Sequence, residues 1–324
     1  MSVPQWQTPF WPEGVSHDVP DYKFPLFKIL DDAARDYPEQ TFTIFNGAAK
    51  TFAQVKDTSD RIANFLSNKD IKKGDRIAIF LPNIPQFPEI LFGILKAGAV
   101  CVNCNPVYTP TELNHQLNDS EAKMVFCMDH PEFYPNTIKA IKGTDVKDVI
   151  ICNIKSYLPK IQAILGSLLG KIPRANHHEP GHYMFDDIVA SSAPTPPSVD
   201  INPEEDTAVM LYTGGTTGVP KGAELVHTNF TYDVAALYEY GMFIHEKGEK
   251  PEKMRKGGFH AFLGVLPWYH SFGITVAMLS AAGSGSRLIC PFPIRCLGRY
   301  LGKCPPSQIQ KPGSQWKSHL GELS

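Results

Sequence analysis

Residues 213–221 read TGGTTGVPK, which places three threonines, three glycines and one lysine within a single short stretch. Gly214, Gly215 and Gly218 can take positive φ without steric cost, so successive N–H groups can converge on one point. Converging amides form an anion-binding concavity. Thr213, Thr216 and Thr217 add hydroxyl donors, and Lys221 adds a point charge. A polyphosphate satisfies all of these groups together, whereas a single carboxylate would need far fewer. The stretch is not a G-x-x-x-x-G-K-[ST] loop, because Lys221 follows Pro220 and precedes Gly222. Pro220 also disfavours a helix here, so Lys221 is expected on a turn or hairpin.

A second chemically dense stretch is LPWYHSFG at 266–273, with Trp268, Tyr269, His270 and Phe272 side by side. A lone histidine near an apolar segment is usually a core residue, so the types alone leave His270 open between packing and function. Trp268, Tyr269 and Phe272 could equally wall a pocket or fill a core. Cys101 and Cys104 have CxxC spacing inside the apolar run AGAVCVNCNP, with no second pair nearby. A buried structural role is expected for them, with a metal or redox role as the alternative. His177, His178 and His182 lie in the irregular NHHEPGHY stretch without acidic or thiol partners at ligand spacing, and a surface loop is expected. No metal site is expected.

The elements that must position these residues alternate along the chain. FPLFKILDDAARDYP (24–38) has helical spacing, and TFTIF (41–45) alternates as a strand. Thr51 and Gln54 form a capping box that opens a helix carrying Val55, Ile62, Phe65 and Leu66. DRIAIFLPN (75–83) reads as a buried strand, PEILFGILKAGA (88–99) as a helix and VCVN as the next strand. Thr109, Pro110 and Glu112 give a further helix start, followed by strands in KMVFCM (123–128) and VKDVIIC (146–152). DTAVMLYT (206–213) is a strand that delivers the glycine-rich loop. Such alternation predicts an α/β fold with mostly parallel sheets layered between helices.

Residues 155–174 interrupt the rhythm. Leu158, Ile161, Ile164, Leu165 and Leu168 share one helical face, flanked by Lys155, Lys160, Lys171 and Arg174. The expectation is a helix packed on its own domain, with a peripheral membrane contact through 155–174 as the alternative. The formal net charge of −2 gives no footprint for nucleic acid. The start of the chain lacks the basic-then-apolar pattern of a secretory leader, and no apolar run is long enough to span a bilayer, so a cytoplasmic chain is expected.

TGGTTGVPKGAELVHTN (213–229) resembles the phosphate-binding loop of the adenylate-forming enzymes, a superfamily of acyl- and aryl-CoA synthetases, luciferases and peptide-synthetase adenylation domains. Their pattern, [ST]-[SG]-G-[ST]-[TS]-G-x-P-K-G, is met at each constrained position. LPWYHSFG resembles the family's acyl-pocket motif, and NPVYTPTELNHQLNDSEAK (105–123) a stretch of its acyl-CoA synthetase branch. The LLGKIP insertion resembles that of long-chain fatty acyl-CoA ligases.

The resemblance implies AMP-forming activation of a fatty acid by ATP, then thioester formation with coenzyme A. It implies that Thr213, Gly214, Gly215, Thr216, Thr217, Gly218 and Lys221 embrace the β- and γ-phosphates. It implies a substrate-positioning role for His270 in catalysis, with Trp268, Tyr269 and Phe272 walling the acyl pocket. A non-catalytic nucleotide-binding fragment and an aryl-acid ligase are the alternatives. The family's fold implies a first α/β subdomain at 1–198 and the start of a second at 199–293. Residues 294–324 form a basic stretch unlike the family. The motifs for adenine, most Mg²⁺ ligands and a catalytic lysine are not found, so a truncated, inactive product is expected.

Overall fold

The computed structural model describes residues 22–213, 220–244 and 261–290. Gly214, Gly215, Thr216, Thr217, Gly218 and the stretch 294–324 therefore lie outside the described residues.

Two sheets carry the architecture. The larger is assembled from β3 (Arg76–Phe80), β4 (Val100–Asn103), β5 (Met124–Met128), β6 (Asp148–Cys152), β7 (Tyr183–Met184), β8 (Thr207–Thr213) and β9 (Lys221–Val226) in the order β7-β6-β5-β3-β4-β8-β9. All its neighbours are parallel except β8 and β9, which run antiparallel. The smaller sheet has β1 (Thr41–Phe45), β2 (Ala48–Thr51), β10 (Ala261–Leu263) and β11 (Arg287–Cys290) in the order β10-β11-β1-β2. β8 follows the proline-rich stretch at 191–206 and still joins the larger sheet beside β4, so this sheet spans the boundary expected at 198/199.

Helices cover both faces of the larger sheet. α2 (Phe52–Asn68) packs on α3 (Gln86–Lys96), and α4 (Pro110–Asp119) on α5 (Phe133–Ala140). The two capping boxes form as expected: the Thr51 and Thr109 hydroxyls accept from the N–H groups of Gln54 and Glu112, whose side chains bond back. α3 lies between elements on every side and buries each of its residues, including Glu89 and Lys96. Both charges are partnered, Glu89 by Lys50 and the Tyr157 hydroxyl, and Lys96 by Asp31 and Asp60. An unpaired charge in that position would be very costly. The remaining helices are α1 (Lys28–Asp36), α6 (Lys160–Leu168), α7 (Phe185–Ser191), α8 (His227–Ile244) and α9 (Ser280–Gly283), with a π-helix at Gly273–Leu279 before α9. Among the described residues no helix is long and apolar enough to cross a membrane.

α6 departs from expectation. Ile161, Ile164, Leu165 and Leu168 were expected to pack inward, yet all are exposed, and α6 buries no residue. The loop after it is pinned more firmly than a surface loop: Asp129 lies 3.0 Å from His178 Nε2, and His182 Nδ1 lies 2.8 Å from the Tyr134 hydroxyl. Cys101 and Cys104 are buried, unpaired thiols that burial pushes well above the ordinary range, which fits the structural role.

Candidate functional site

The order β4-β3-β5-β6-β7 reverses direction between β3 and β5, and in open α/β sheets ligands bind beyond the carboxyl ends of strands at such a reversal. The chemically dense stretches converge on this edge.

β8 and β9 form the hairpin expected around Pro220, with Thr213 and Lys221 as the last pair before its connecting loop. Both are exposed, and Lys221 has no ion pair among the described residues. An exposed ammonium without a carboxylate partner is available to an anion, and the strand end fixes the backbone from which it extends. α4 supports the turn, with His115 Nε2 lying 3.4 Å from the Pro220 carbonyl oxygen. Gly222 is fixed by contact: a Cβ there would lie 3.0 Å from Cζ of Tyr212, whose hydroxyl donates to Asp119 at 2.6 Å. The glycine lets the Tyr212 ring lie across the hairpin beside the loop.

The segment 264–272 is bound to the same edge by two asparagines that the sequence reading did not single out. Asn83, just beyond β3, donates to the Gly264 and Leu266 carbonyls at 2.8 and 2.7 Å and accepts from the Trp268 N–H at 3.0 Å. Asn103, the last residue of β4, donates to the Trp268 carbonyl at 3.4 Å. Asn103 is itself held by Gln116, which donates to its carbonyl at 2.9 Å. A signal was available: Asn83 ends the apolar run IAIFLPN, and buried amides at strand ends need partners.

The four side chains of this segment do not share one environment. Trp268 is fully buried, against Phe87 at 5.9 Å between ring centroids, and faces no open space. Tyr269 is half-buried, while His270 and Phe272 are exposed. The His270 Nδ1 accepts from the Phe272 N–H at 3.4 Å, which leaves Nε2 as the nitrogen free for a ligand. His270 also opens the following helix, its carbonyl accepting from Ile274 N–H at 3.0 Å. Gly273 is required by the sharp return: a Cβ there would lie 2.0 Å from the Pro267 carbonyl oxygen.

The two halves of the site meet through the register of the sheet. Asn103 pairs with Leu211, and Thr213 lies two residues beyond on the neighbouring strand. The Trp268 backbone at the end of β4 therefore sits beside the strand that delivers the glycine-rich loop. Among the described residues no group of three or more His, Cys, Asp or Glu could hold a metal. The Mg²⁺ that the resemblance implies finds no ligand set among the described residues.

The AMP-binding enzyme family matches residues 30–298. The chain belongs to that family. It is 32% identical over 286 residues to a long-chain-fatty-acid–CoA ligase of Bacillus subtilis, covering 86% of this chain and 48% of that protein. It is 31% identical over 313 residues to one of Escherichia coli O157:H7, covering 92% and 53%. A solved long-chain-fatty-acid–CoA ligase from Archaeoglobus fulgidus shares the fold with a TM-score of 0.64 at 23% identity, covering 87% of this chain and 50% of that one. The chain spans about half the length of the curated relatives it matches.

Proposed function

We propose that the protein carrying this chain is an AMP-forming acyl-CoA ligase for fatty acids, and that this chain supplies the phosphate-holding hairpin and one side of the acyl site. The observation that carries the reading is the pairing of Thr213 with an unneutralised Lys221 at the carboxyl edge of the sheet, beside the segment that presents His270. The matched family and the names of its relatives favour ATP as the nucleotide, a fatty acid as the acid and coenzyme A as the thiol.

In the proposed reaction the ionised fatty carboxylate attacks the α-phosphorus of ATP. The new O–P bond forms as the bond to pyrophosphate breaks. Lys221 and the hydroxyl of Thr213 stabilise the charge that grows on the leaving pyrophosphate, with the loop between them completing the cradle. A thiolate then attacks the acyl carbon, forming the C–S bond and releasing AMP. His270 positions the acyl carboxylate through Nε2. It is not needed as a base, because a carboxylate is already ionised at neutral pH.

The test measures ATP affinity and activation separately. Loss of a charge-assisted phosphate contact costs about 1.5–3 kcal/mol, roughly tenfold to a hundredfold in Kd. Lys221→Ala should weaken ATP binding by that factor while leaving the thermal midpoint unchanged, since Lys221 is exposed. In a protein of the relatives' full length that carries this chain, fatty-acid-dependent ATP–pyrophosphate exchange and a trapped acyl hydroxamate are the expected signs of activation. ATP binding with neither would overturn the ligase reading in favour of a nucleotide-binding protein without catalysis.

A further inference from the structure

α6 presents the wrong face to solvent for a packed helix. Ile161, Ile164, Leu165, Leu168 and Leu169 recur with the spacing of a single helical face. They are 73, 60, 52, 78 and 63% exposed. The inner side carries Ala163 and Gly166 instead, both only half-buried. Gly166 matters there: a Cβ would lie 2.9 Å from Cγ1 of Ile172, so its absence lets the returning chain lie along the back of the helix. Gly170 makes the reversal at φ +60°, and the Lys171 N–H donates to the Gly166 carbonyl at 2.8 Å.

Both ends of this excursion are fixed. Before α6, Tyr157 and Leu158 are buried, and the Tyr157 hydroxyl bonds to buried Glu89. After it, buried Asp129 accepts from the Ala175 N–H at 2.7 Å and pairs with His178. The apolar face is thus held outward by anchored flanks and is not the exposed side of a loose tail.

The charge around that face selects its occupant. Residues 155–174 contain Lys155, Lys160, Lys171 and Arg174 and no acid. All four are exposed, and none has an acidic partner among the described residues. A second copy docking through a two-fold axis would set the same four cations against themselves. An anionic lipid surface instead offers headgroups to the cations and an acyl boundary to the isoleucines and leucines. α6 also leaves the sheet at the carboxyl end of β6, the same edge on which Asn83 and Asn103 hold the segment bearing His270.

We infer that α6 is an interfacial anchor that seats the protein on an anionic membrane surface, with its five isoleucine and leucine side chains inserted and the four cations among the headgroups. The inference does not depend on the ligase reading, and its test needs neither ATP nor fatty acid. The purified protein is floated with vesicles of phosphatidylcholine alone and of phosphatidylcholine with roughly a third phosphatidylglycerol. Binding to the anionic vesicles should be at least about tenfold tighter and should weaken as salt rises.

Ile164→Gln with Leu168→Gln should reduce binding to anionic vesicles at least about tenfold, and Lys160→Gln with Lys171→Gln should remove the preference for them. Neither pair should move the thermal midpoint, because these side chains are exposed. Wild-type protein that binds neither vesicle, or variants that bind as wild type does, would overturn the inference. So would a dimer that the Ile164→Gln and Leu168→Gln pair converts to monomer without vesicle binding by the wild type. A lowered thermal midpoint in that pair, again without vesicle binding, would assign the face to another part of the protein.

Discussion

His227 sits at the start of α8, directly after the hairpin, and its Nδ1 accepts a hydrogen bond from the buried Leu26 N–H at 3.0 Å. Only the neutral ring can accept there. Burial lowers its pKa from 6.5 to about 4, with Asp206 opposing that shift and Lys73 adding to it. A histidine depressed in the folded state contributes its full stability above the unfolded pKa and loses it as pH falls towards the folded value, because the unfolded chain takes up the proton first. With unfolded and folded values of 6.5 and about 4, the loss between neutrality and about pH 5 is roughly 1.36 × 1.5, or about 2 kcal/mol.

His227→Asn provides the comparison, since its Oδ1 can take the acceptor role without titrating. The assay is urea unfolding of both proteins near pH 7.5 and near pH 5. His130 and His182 are also lowered by burial, so both proteins should lose stability on acidification. The wild type should lose about 2 kcal/mol more than the variant. A difference that stays constant to within about 0.5 kcal/mol across that range would refute the assignment of a neutral, accepting His227.

Two further substitutions test how the His270 segment is held. Asn83→Ala removes one acceptor and two donors, leaving the buried Trp268 N–H and Gly264 carbonyl unpaired, and should cost about 3 kcal/mol in chemical denaturation. Gly273→Ala forces a Cβ onto the Pro267 carbonyl, and backbone cannot yield as a side-chain tip can, so a loss of about 3 kcal/mol is expected. Ser271→Ala, at an exposed neighbouring position, should stay within about 0.5 kcal/mol of the wild type.

Local signals were legible wherever one residue type had one physical use. Thr51 and Thr109 opened helices as read, because a capping box satisfies orphan N–H groups within a few residues. The buried strands β3 to β6 stood out as apolar runs bounded by helical periodicity. β2 is not legible in this way, although Asn46-Gly47 is a turn dipeptide: the two residues take φ of 48° and 86°, the positive values a tight hairpin needs, between paired Phe45 and Ala48. Its sequence AAKT carries no strand pattern, so pairing with β1 alone makes it a strand. α5 is not legible either, its short run FYPNTIKA broken by a proline in the first turn. For α6 the sequence carries the periodicity but not the direction of the face. Spacing identifies a face, but whether that face turns inward depends on where the flanking residues are tethered.

The same distinction governs the candidate site. Residue types near the glycine-rich loop pointed to a polyphosphate without any knowledge of neighbours, since amides, hydroxyls and a lysine carry their chemistry with them. The stretch 266–273 could not be resolved in that way, because Trp268 and His270 are two residues apart and end in opposite environments. What separates them is Asn83, whose planar amide offers two donors and an acceptor in one side chain and so fixes three backbone groups at once. With Trp268 turned into the core by that clamp, His270 emerges at the edge of the sheet. The parallel register of Asn103 with Leu211 then sets the strand carrying Thr213 beside it. A slip of one residue between β4 and β8 would turn alternate side chains of β8 to the other face, and the proximity of the two stretches would be lost. The chemistry is local to each stretch, and their meeting depends on strand pairing between residues more than a hundred positions apart.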